Sequence, residues 1–337
     1  MGSIIAQTKD EETARIALAL FAEPGDPVTG RFIQRVGAVE TVRLLASDDA
    51  VPVLSKEAAA LWRTHFRLDQ QPNALRNVLR ATEKFRLSIV VPDVHGFPAS
   101  LNDLGERVPY LLWAKGDLSL LPRKMVSQFS ITGSRAATSY GEHVAGEIAS
   151  DLASQGKVLV SGGSYGIDAA VHRAALAAGG HTVAVMASGL DRPYPAGNRE
   201  LLEQIGHLGL LVSEQPPGAV PTRGRFIARV RLVAALSGST TIVEAAWRSG
   251  ALAVAHQANE LGRVVGAVRG PVTSAASAGT HRLLQEGAAS LVTDAADLMA
   301  LLNRVQELSP APSALSAPLR PSATQQPAPH AAPPRGL

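Results

Sequence analysis

Three features are scarce or missing in this sequence of 337 residues. It contains no cysteine, which excludes disulfides, thiolate nucleophiles and zinc sites with thiolate ligands. Aromatic residues make up only 4% of it, few for a surface that stacks many nucleobases. No apolar run reaches the ~18–20 residues of a transmembrane helix, and charges interrupt the N-terminal region where a signal peptide would be apolar. We therefore expect a soluble, cytoplasmic protein with no membrane partner.

The remaining composition supports a large folded core. Hydrophobic residues make up 46% of the chain, and its length is enough for two domains or for one large domain with appendages. Lysine and arginine (32) slightly outnumber aspartate and glutamate (29), for a net charge of +3. This balance permits an anionic partner without requiring one.

Apolar spacing divides the chain into four segments. Residues 1–80 carry apolar residues three and four apart, which predicts a small helical domain. Residues 81–124 mix short apolar runs with proline and glycine and are predicted to be a connector with one or two short strands, packed on the core. Residues 304–337, rich in proline and alanine from Ser309 onward, have no apolar face and are predicted to be a disordered tail.

Residues 125–303 alternate regularly between short apolar runs and helical patterns. The runs are apolar on both sides, and helical segments connect them, which predicts an α/β fold with a doubly wound, mostly parallel sheet. In such folds ligands bind at the carboxyl ends of the strands. The turns that follow the predicted strands are therefore the places to look for a site.

The stretch KVLVSGGSYGIDAAVH, from Lys157 to His172, places Gly162, Gly163 and Gly166 between a predicted strand and a predicted helix. Backbone amides at a helix N-terminus attract anions. The spacing is neither the dinucleotide fingerprint G-x-G-x-x-G nor a P-loop, so we expect no nucleotide cofactor. An anion site and a tight turn without ligand both remain open. Asp168 and His172, four residues apart on the helix, are typical of a surface pair.

The preceding strand ends in ITGSRAATSYG, which places Gly133, Ser134 and Arg135 in the neighbouring turn. Arg135 can add a permanently charged, bidentate contact to an anion held by neighbouring amides. Because neighbouring turns of a sheet tend to line one cleft, the two turns together favour an anion site more strongly than either alone.

A basic cluster follows in TRGRFIARVRL, with four arginines within nine residues. On a helix Arg225 and Arg229 share a face, whereas Arg231 points elsewhere. The cluster is either a solvated basic face or part of a binding site. Phe226, between the arginines, is either a core residue or a platform for a stacked base.

The segment STTIVEAAWRSGAL ends a predicted strand with Glu244 and opens a helix at Ser249 and Gly250. The carboxylate is a structural partner of an arginine, a ribose ligand or an acid–base group. The histidines form no set with metal-ligand spacing, and no Ser-His-Asp arrangement is fixed by the sequence. We therefore predict no metal and no catalytic residue.

Taken together, these segments resemble the DNA processing protein A (DprA/Smf) family. The match holds in order and spacing from Phe129 to Leu302 and includes ITGSRAATSYG, LVSGGSYGIDAAVHRAAL, GLDRPYPAGNREL and RFIARVRLVAALS. The resemblance implies an extended Rossmann-like core and a homodimer. It also implies a non-enzymatic protein that binds single-stranded DNA in a basic pocket and assists the loading of a RecA-type recombinase in natural transformation and recombination.

The resemblance also implies the pocket residues, to which we add Ser161, Tyr165, Glu244, Ser249 and Gly250 from the same turns. The full predicted set for DNA and phosphate binding is Gly133, Ser134, Arg135, Ser161, Gly162, Gly163, Tyr165, Gly166, Asp168, Asn198, Phe226, Arg229, Arg231, Glu244, Ser249 and Gly250.

The chain departs from the family pattern in four places. Val230 stands where members usually have asparagine, and Ser164 and Tyr165 stand where Ala-Arg or similar is usual, so the pocket loses a polar group and a positive charge. Arg269 replaces a usual proline and adds a charge. The proline-rich tail stands where many members carry a winged-helix-like domain.

Two alternatives remain at this point. One is an enzyme of the lysine-decarboxylase-like phosphoribohydrolase type, whose mark is P-G-G-x-G-T-x-x-E. The segment SGSTTIVE keeps Gly238, Thr241 and Glu244 of that mark but lacks its other glycines. The other is a nucleotide-sensing scaffold that has lost DNA binding and recruits partners through its polyproline segments.

Overall fold

The computed structural model describes residues 4–64, 66, 73–94 and 96–308. The tail predicted from Ser309 onward lies outside these residues. Within them, no helix combines the length and the apolar character needed to cross a bilayer.

The described residues of the N-terminal part form five helices: α1 (Ile4–Gln7), α2 (Glu11–Phe21), α3 (Pro27–Ala46), α4 (Lys56–Thr64) and α5 (Ala74–Lys84). The carboxylates of Asp10 and Asp26 cap α2 and α3, because each accepts the amide of the residue three positions on at 2.9 Å. The apolar faces of α2, α3 and α4 share one cluster with Trp62, whose ring centroid lies 4.8 Å from that of Phe32. Helix α5 continues to Lys84, four residues past the predicted end of the helical domain at residue 80.

In the part of the chain that the structure describes, nine strands form one sheet. Their bounds are β1 (Ser88–Val90), β2 (Leu112–Gly116), β3 (Gln128–Thr132), β4 (Val158–Ser161), β5 (His181–Met186), β6 (Leu210–Ser213), β7 (Ser239–Ile242), β8 (Val264–Val268) and β9 (Ser290–Val292). Their spatial order is β1-β2-β6-β5-β4-β3-β7-β8-β9. Strands β3 to β9 pair in parallel, whereas β1 and β2, from the predicted connector, extend the edge beside β6 in antiparallel pairing.

Helices cover both faces of the sheet. Those of the core are α6 (Ser139–Ser154), α7 (Ile167–Ala177), α8 (Arg199–Leu208), α9 (Arg223–Ala235), α10 (Ala251–Glu260), α11 (Ala278–Gln285) and α12 (Ala295–Leu308). One apolar cluster joins the strands to α9, α10 and the short helical turns at 99–107. A second joins the sheet to α6, α7 and α12. The predicted α/β fold with a doubly wound, mostly parallel sheet is thus confirmed.

The strand order reverses next to β3. The chain passes from β3 to β4, β5 and β6 on one side, and then crosses to β7 on the other side of β3, where Phe129 is in register with Ser239. At such a reversal the loops after the two central strands diverge and leave a crevice at their carboxyl ends. The fold therefore places the favoured ligand position between the turns that follow β3 and β7.

Candidate functional site

A cavity of about 750 Å³ occupies this crevice. The turn after β3, the N-terminal half of α9 and the segment between β7 and α10 form its walls. Among the described residues, the charged groups of its lining are four arginines and one carboxylate: Arg135, Arg223, Arg229, Arg248 and Asp168. The cavity therefore carries an excess of positive charge, which suits an anionic ligand.

An aromatic ring lies between two of these arginines. The guanidinium carbon of Arg135 lies 4.4 Å from the ring centroid of Phe226, and that of Arg229 lies 5.3 Å from it. Tyr194 meets the same ring edge-on, with centroids 6.2 Å apart. Phe226 is only partly buried. Phe226 is therefore a ring at the cavity wall, and its alternative prediction as a core residue is wrong.

Arg229 anchors α9 to the carboxyl edge of the sheet. Its guanidinium donates hydrogen bonds to the carbonyl oxygens of Gly162 and Val185, the latter at 3.2 Å. Burial lowers the pKa of Arg229, the carboxylate of Asp168 opposes this shift, and the positive charge of Arg135 adds to it. A Cβ atom on residue 162 would lie 2.5 Å from the guanidinium. Glycine at this position therefore makes room for the arginine.

Asp168 ties the end of β3 to the turn after β4, beneath the cavity. Its carboxylate accepts a hydrogen bond from the hydroxyl of Thr132 at 2.7 Å and from the backbone amide of Ser164 at 3.2 Å. Its side chain is buried, and His172, one turn further along α7, is fully buried. The interpretation of Asp168 and His172 as a surface pair was wrong, because α7 packs against the sheet and the two side chains contact Thr132 of β3 and Thr182 of β5.

His172 is held neutral. Its Nδ1 lies 2.7 Å from the hydroxyl of Thr182, which itself donates to the carbonyl of Leu159, so Nδ1 carries the proton and donates. Its Nε2 has no hydrogen-bond partner among the described residues. Burial lowers the pKa of His172 to about 4, with Asp168 opposing the shift and Arg229 adding to it.

The turn at residues 162–166, here called the glycine turn, is tightly packed, and the amide of Ser164 within it is used internally. Gly163 and Gly166 have φ angles of +68° and +69°, and a Cβ atom on residue 166 would lie 2.3 Å from the carbonyl oxygen of Ser134. Of the turn's amides, that of Ser164 donates to Asp168, and just beyond it that of Ile167 donates to Ser134. The turn contributes the Ser164 side of its backbone to the cavity wall.

A short 3₁₀ turn, Ala196–Asn198, clamps the glycine turn from outside. The buried Asn198 side chain donates to the carbonyls of Gly163 and Ser164 at 3.2 and 3.0 Å. The half-exposed Tyr165 accepts the amide of Gly197 at 3.1 Å through its hydroxyl. Both predicted residues are thus placed to support the turn.

Two predicted residues have partners elsewhere in the core. The hydroxyl of Ser161 donates to the carbonyl of Ile131 inside the sheet at 2.7 Å. The carboxylate of Glu244 accepts the backbone amide and the hydroxyl of Thr138 at 2.9 and 2.5 Å, at the N-terminus of α6. Glu244 therefore has a structural role, which was one of the three left open by the sequence. Its partner is the N-terminus of α6 and not an arginine.

Arg231 lies on the side of α9 that faces the N-terminal part. It is fully buried, and both terminal nitrogens donate to the carboxylate of Glu214, at 2.6 and 2.5 Å. Its Nε donates to the carbonyl of Arg107 at 3.0 Å. These contacts leave it outside the cavity lining, so its inclusion in the predicted site was wrong, while the helical spacing that points it away from Arg229 holds.

The structure therefore brings together at the cavity half of the predicted set: Gly133, Ser134, Arg135, Asp168, Phe226, Arg229, Ser249 and Gly250. Arg223 and Arg248 also line it but were not in the predicted site set. Arg248 directly precedes Ser249 and Gly250, so its position just after the β7 strand end was the signal that could have identified it.

A family model described as DNA recombination-mediator protein A matches residues 88–303. The putative DNA processing protein DprA of Mycobacterium tuberculosis is 42% identical over 298 residues, which cover 82% of this chain and 75% of the relative. The chain belongs to the DNA recombination-mediator protein A family. The resemblance drawn from the sequence motifs is confirmed.

Solved structures of this family have the same fold. DNA processing protein A of Streptococcus pneumoniae superposes with a TM-score of 0.65 at 28% identity, over 89% of this chain and 98% of that one. The protein from Helicobacter pylori, described for its single-stranded DNA binding mode, has a TM-score of 0.58 at 29% identity, over 65% of this chain and 97% of that one. As a member of the family, this chain is a DNA recombination mediator and not an enzyme.

Replacing Gly162 by alanine should displace Arg229 and lower the free energy of unfolding by about 1–3 kcal/mol, because the guanidinium loses its hydrogen bonds to two buried carbonyls. Gly146→Ala is the matched control: a Cβ atom there meets only Ala174 at 3.9 Å in the middle of α6, so the change should be neutral or stabilising. Denaturant unfolding measures both. Equal effects of the two changes would contradict this role of Gly162.

Arg231→Ala should lower the free energy of unfolding by roughly 3–5 kcal/mol, because it leaves the carboxylate of Glu214 buried without its partner. The double change Arg231→Met with Glu214→Leu should recover much of this loss, since it removes both charges. Thermal unfolding measures the series. A double variant no more stable than the single one would show that the pair's charges are not the cause.

Acidification should destabilise the protein through His172. Its pKa is about 4 in the folded state and 6.5 as the reference for the unfolded state, so the unfolded chain binds the proton more readily between these values. The contribution of the neutral His172 to stability is fully present above pH 6.5. The free energy of unfolding should fall by about 3 kcal/mol as the pH drops to 4. His172→Gln should remove this component, whereas His207→Gln, at an exposed position of α8, should leave it unchanged. Denaturant unfolding at each pH tests this, and equal pH profiles for parent and His172→Gln would exclude it.

Proposed function

We propose that this chain binds single-stranded DNA in the arginine-lined cavity between the turns after β3 and β7. The convergence of four arginines in one cavity, two of them against a partly exposed aromatic ring, carries the proposal. Single-stranded nucleic acid is held by this combination, in which cations meet phosphates and bases stack on aromatic faces. The single-stranded DNA binding described for the Helicobacter pylori relative supports the same ligand class.

The arginines have different roles in this proposal. Arg135, Arg223 and Arg248 are exposed and free to follow the phosphates of a flexible strand. Arg229 is fixed to the sheet and supplies a permanent positive field to the cavity floor. A phosphate that draws Arg135 away from Phe226 uncovers the ring face for a base. Because the contacts go to phosphates and π-faces, binding is insensitive to sequence and strongly dependent on salt.

We also infer that the bound strand is delivered to a RecA-type recombinase and that the protein acts as a homodimer. The mediator role of the family supports delivery to a recombinase, because a mediator must bind the strand that the recombinase will occupy. The cavity supports this role physically, since its salt-sensitive contacts to the phosphate backbone can be released without breaking covalent bonds.

Arg135→Ala should weaken the binding of oligo-dT by about tenfold and reduce the slope of log affinity against log salt by about 0.7, the value for one phosphate contact on a single strand. Fluorescence anisotropy of a labelled oligonucleotide across salt concentrations measures both quantities.

Arg123→Ala provides a control with the same change of charge. Arg123 is exposed and lies before β3, at the amino end of the strand whose carboxyl end carries Arg135. This variant should bind like the parent. If Arg135→Ala kept the parent's affinity and salt slope, or if Arg123→Ala weakened binding equally, the cavity would not be the DNA site.

A further inference from the structure

The segment between β7 and α10 presents an exposed tryptophan beside the cavity. Trp247 is 57% exposed and directly precedes Arg248, which lines the cavity. The chain has three tryptophans, and the other two, Trp62 and Trp113, are buried. An indole of this size left in water is typical of a contact surface.

The backbone beneath Trp247 is fixed. The amide of Ala245 donates to the carbonyl of Ala276 at 2.8 Å, and the amide of Gly279 donates to the carbonyl of Ala245 at 2.7 Å. A Cβ atom on residue 279 would lie 2.8 Å from the carbonyl of Ala246, so glycine permits the close packing of α11 against this segment. The indole therefore stands on a rigid base.

A cation lies against the indole. The guanidinium carbon of Arg282, one turn into α11, is 5.0 Å from the ring of Trp247, and Glu286 orients it through an ion pair of 2.7 Å. Arg248 follows Trp247 in the chain and lines the cavity, and the exposed Arg269 directly follows the neighbouring strand β8. The indole with its cation thus lies in a segment that continues into the cavity lining.

We propose that Trp247 is a stacking platform for a nucleobase at the mouth of the cavity, with Arg248 and Arg282 meeting the adjoining phosphates. This inference rests on the proposed function, since it extends the path of the same single strand beyond the cavity. Continuity with the cavity through Arg248 and the pairing of cations with an aromatic face favour a single-stranded nucleic acid as the occupant. A protein partner that buries the indole needs no arginine-lined cavity beside it.

Trp247 provides its own signal for the test. One titration of the full chain with oligo-dT of increasing length follows two quantities, the anisotropy of a label on the DNA and the tryptophan emission of the protein. We expect emission to be quenched by oligonucleotides that extend beyond the cavity and not by the shortest ones that bind. In Trp247→Phe, where emission comes only from the buried Trp62 and Trp113, DNA should leave the emission unchanged.

Trp247→Ala should weaken the binding of long oligo-dT by about tenfold, the order of one base stacked on an aromatic side chain, and leave the shortest oligonucleotides unaffected. Trp247→Phe, which keeps a smaller π-face, should retain part of the affinity. Because Trp247 is exposed, both variants should unfold at the parent's temperature.

The outcomes separate the two proposals. Binding by anisotropy with unchanged emission, and with Trp247→Ala equal to the parent at every length, would overturn the platform and leave the cavity proposal intact. Absence of binding at every length would overturn the cavity proposal and the platform with it. If Trp247→Ala changed the sedimentation of the protein but not its DNA binding, the indole would belong to an interface between copies of the chain, which would also overturn the platform.

Discussion

The position of one guanidinium determines the shape of the cavity. Arg229 bonds to carbonyls at the ends of β4 and β5, and the absence of a side chain at Gly162 lets it do so. Asp168, beneath it, offsets part of the cost of burying its charge and also joins β3 to the glycine turn. Hydrogen bonds therefore connect α9, the end of β3 and the glycine turn into one rigid arrangement at the cavity floor. Any ligand meets a site whose charges are already in place.

The spacing of arginines along α9 distributes them between structure and binding. Residues two positions apart on a helix point about 200° apart, so Arg229 and Arg231 face opposite sides of α9. Arg231 forms a buried pair with Glu214 and contacts the segment that leads to β2, whereas Arg223, six residues before Arg229, reaches the cavity. One short basic run thus attaches the core to its N-terminal neighbour and still supplies positive charge to the site.

The sequence predicted what depends on local pattern and missed what depends on distant partners. The alternation of apolar runs and amphipathic segments is local, so the strands, the helices and the edge carrying the site could be predicted. Asp168 could not be recognised as buried, because its partner Thr132 lies 36 positions earlier in the chain, at the end of β3. Glu244 caps α6 from 106 positions away, and no spacing rule connects it to Thr138. Such pairs are set by the topology of the sheet.

Two backbone amides in and just after the glycine turn are bonded within the protein, and this limits how an anion can bind at the site. The amides of Ser164 and Ile167 already donate within the protein, so neither joins a nest of amides around a phosphate. Tyr165, at a position where the family pattern carries positive charge, uses its hydroxyl to fix Gly197. In the proposed site, recognition therefore rests on exposed arginines of the opposite walls and on aromatic faces. Side chains of this kind can follow a flexible polyanion from one phosphate to the next, which a rigid nest cannot do.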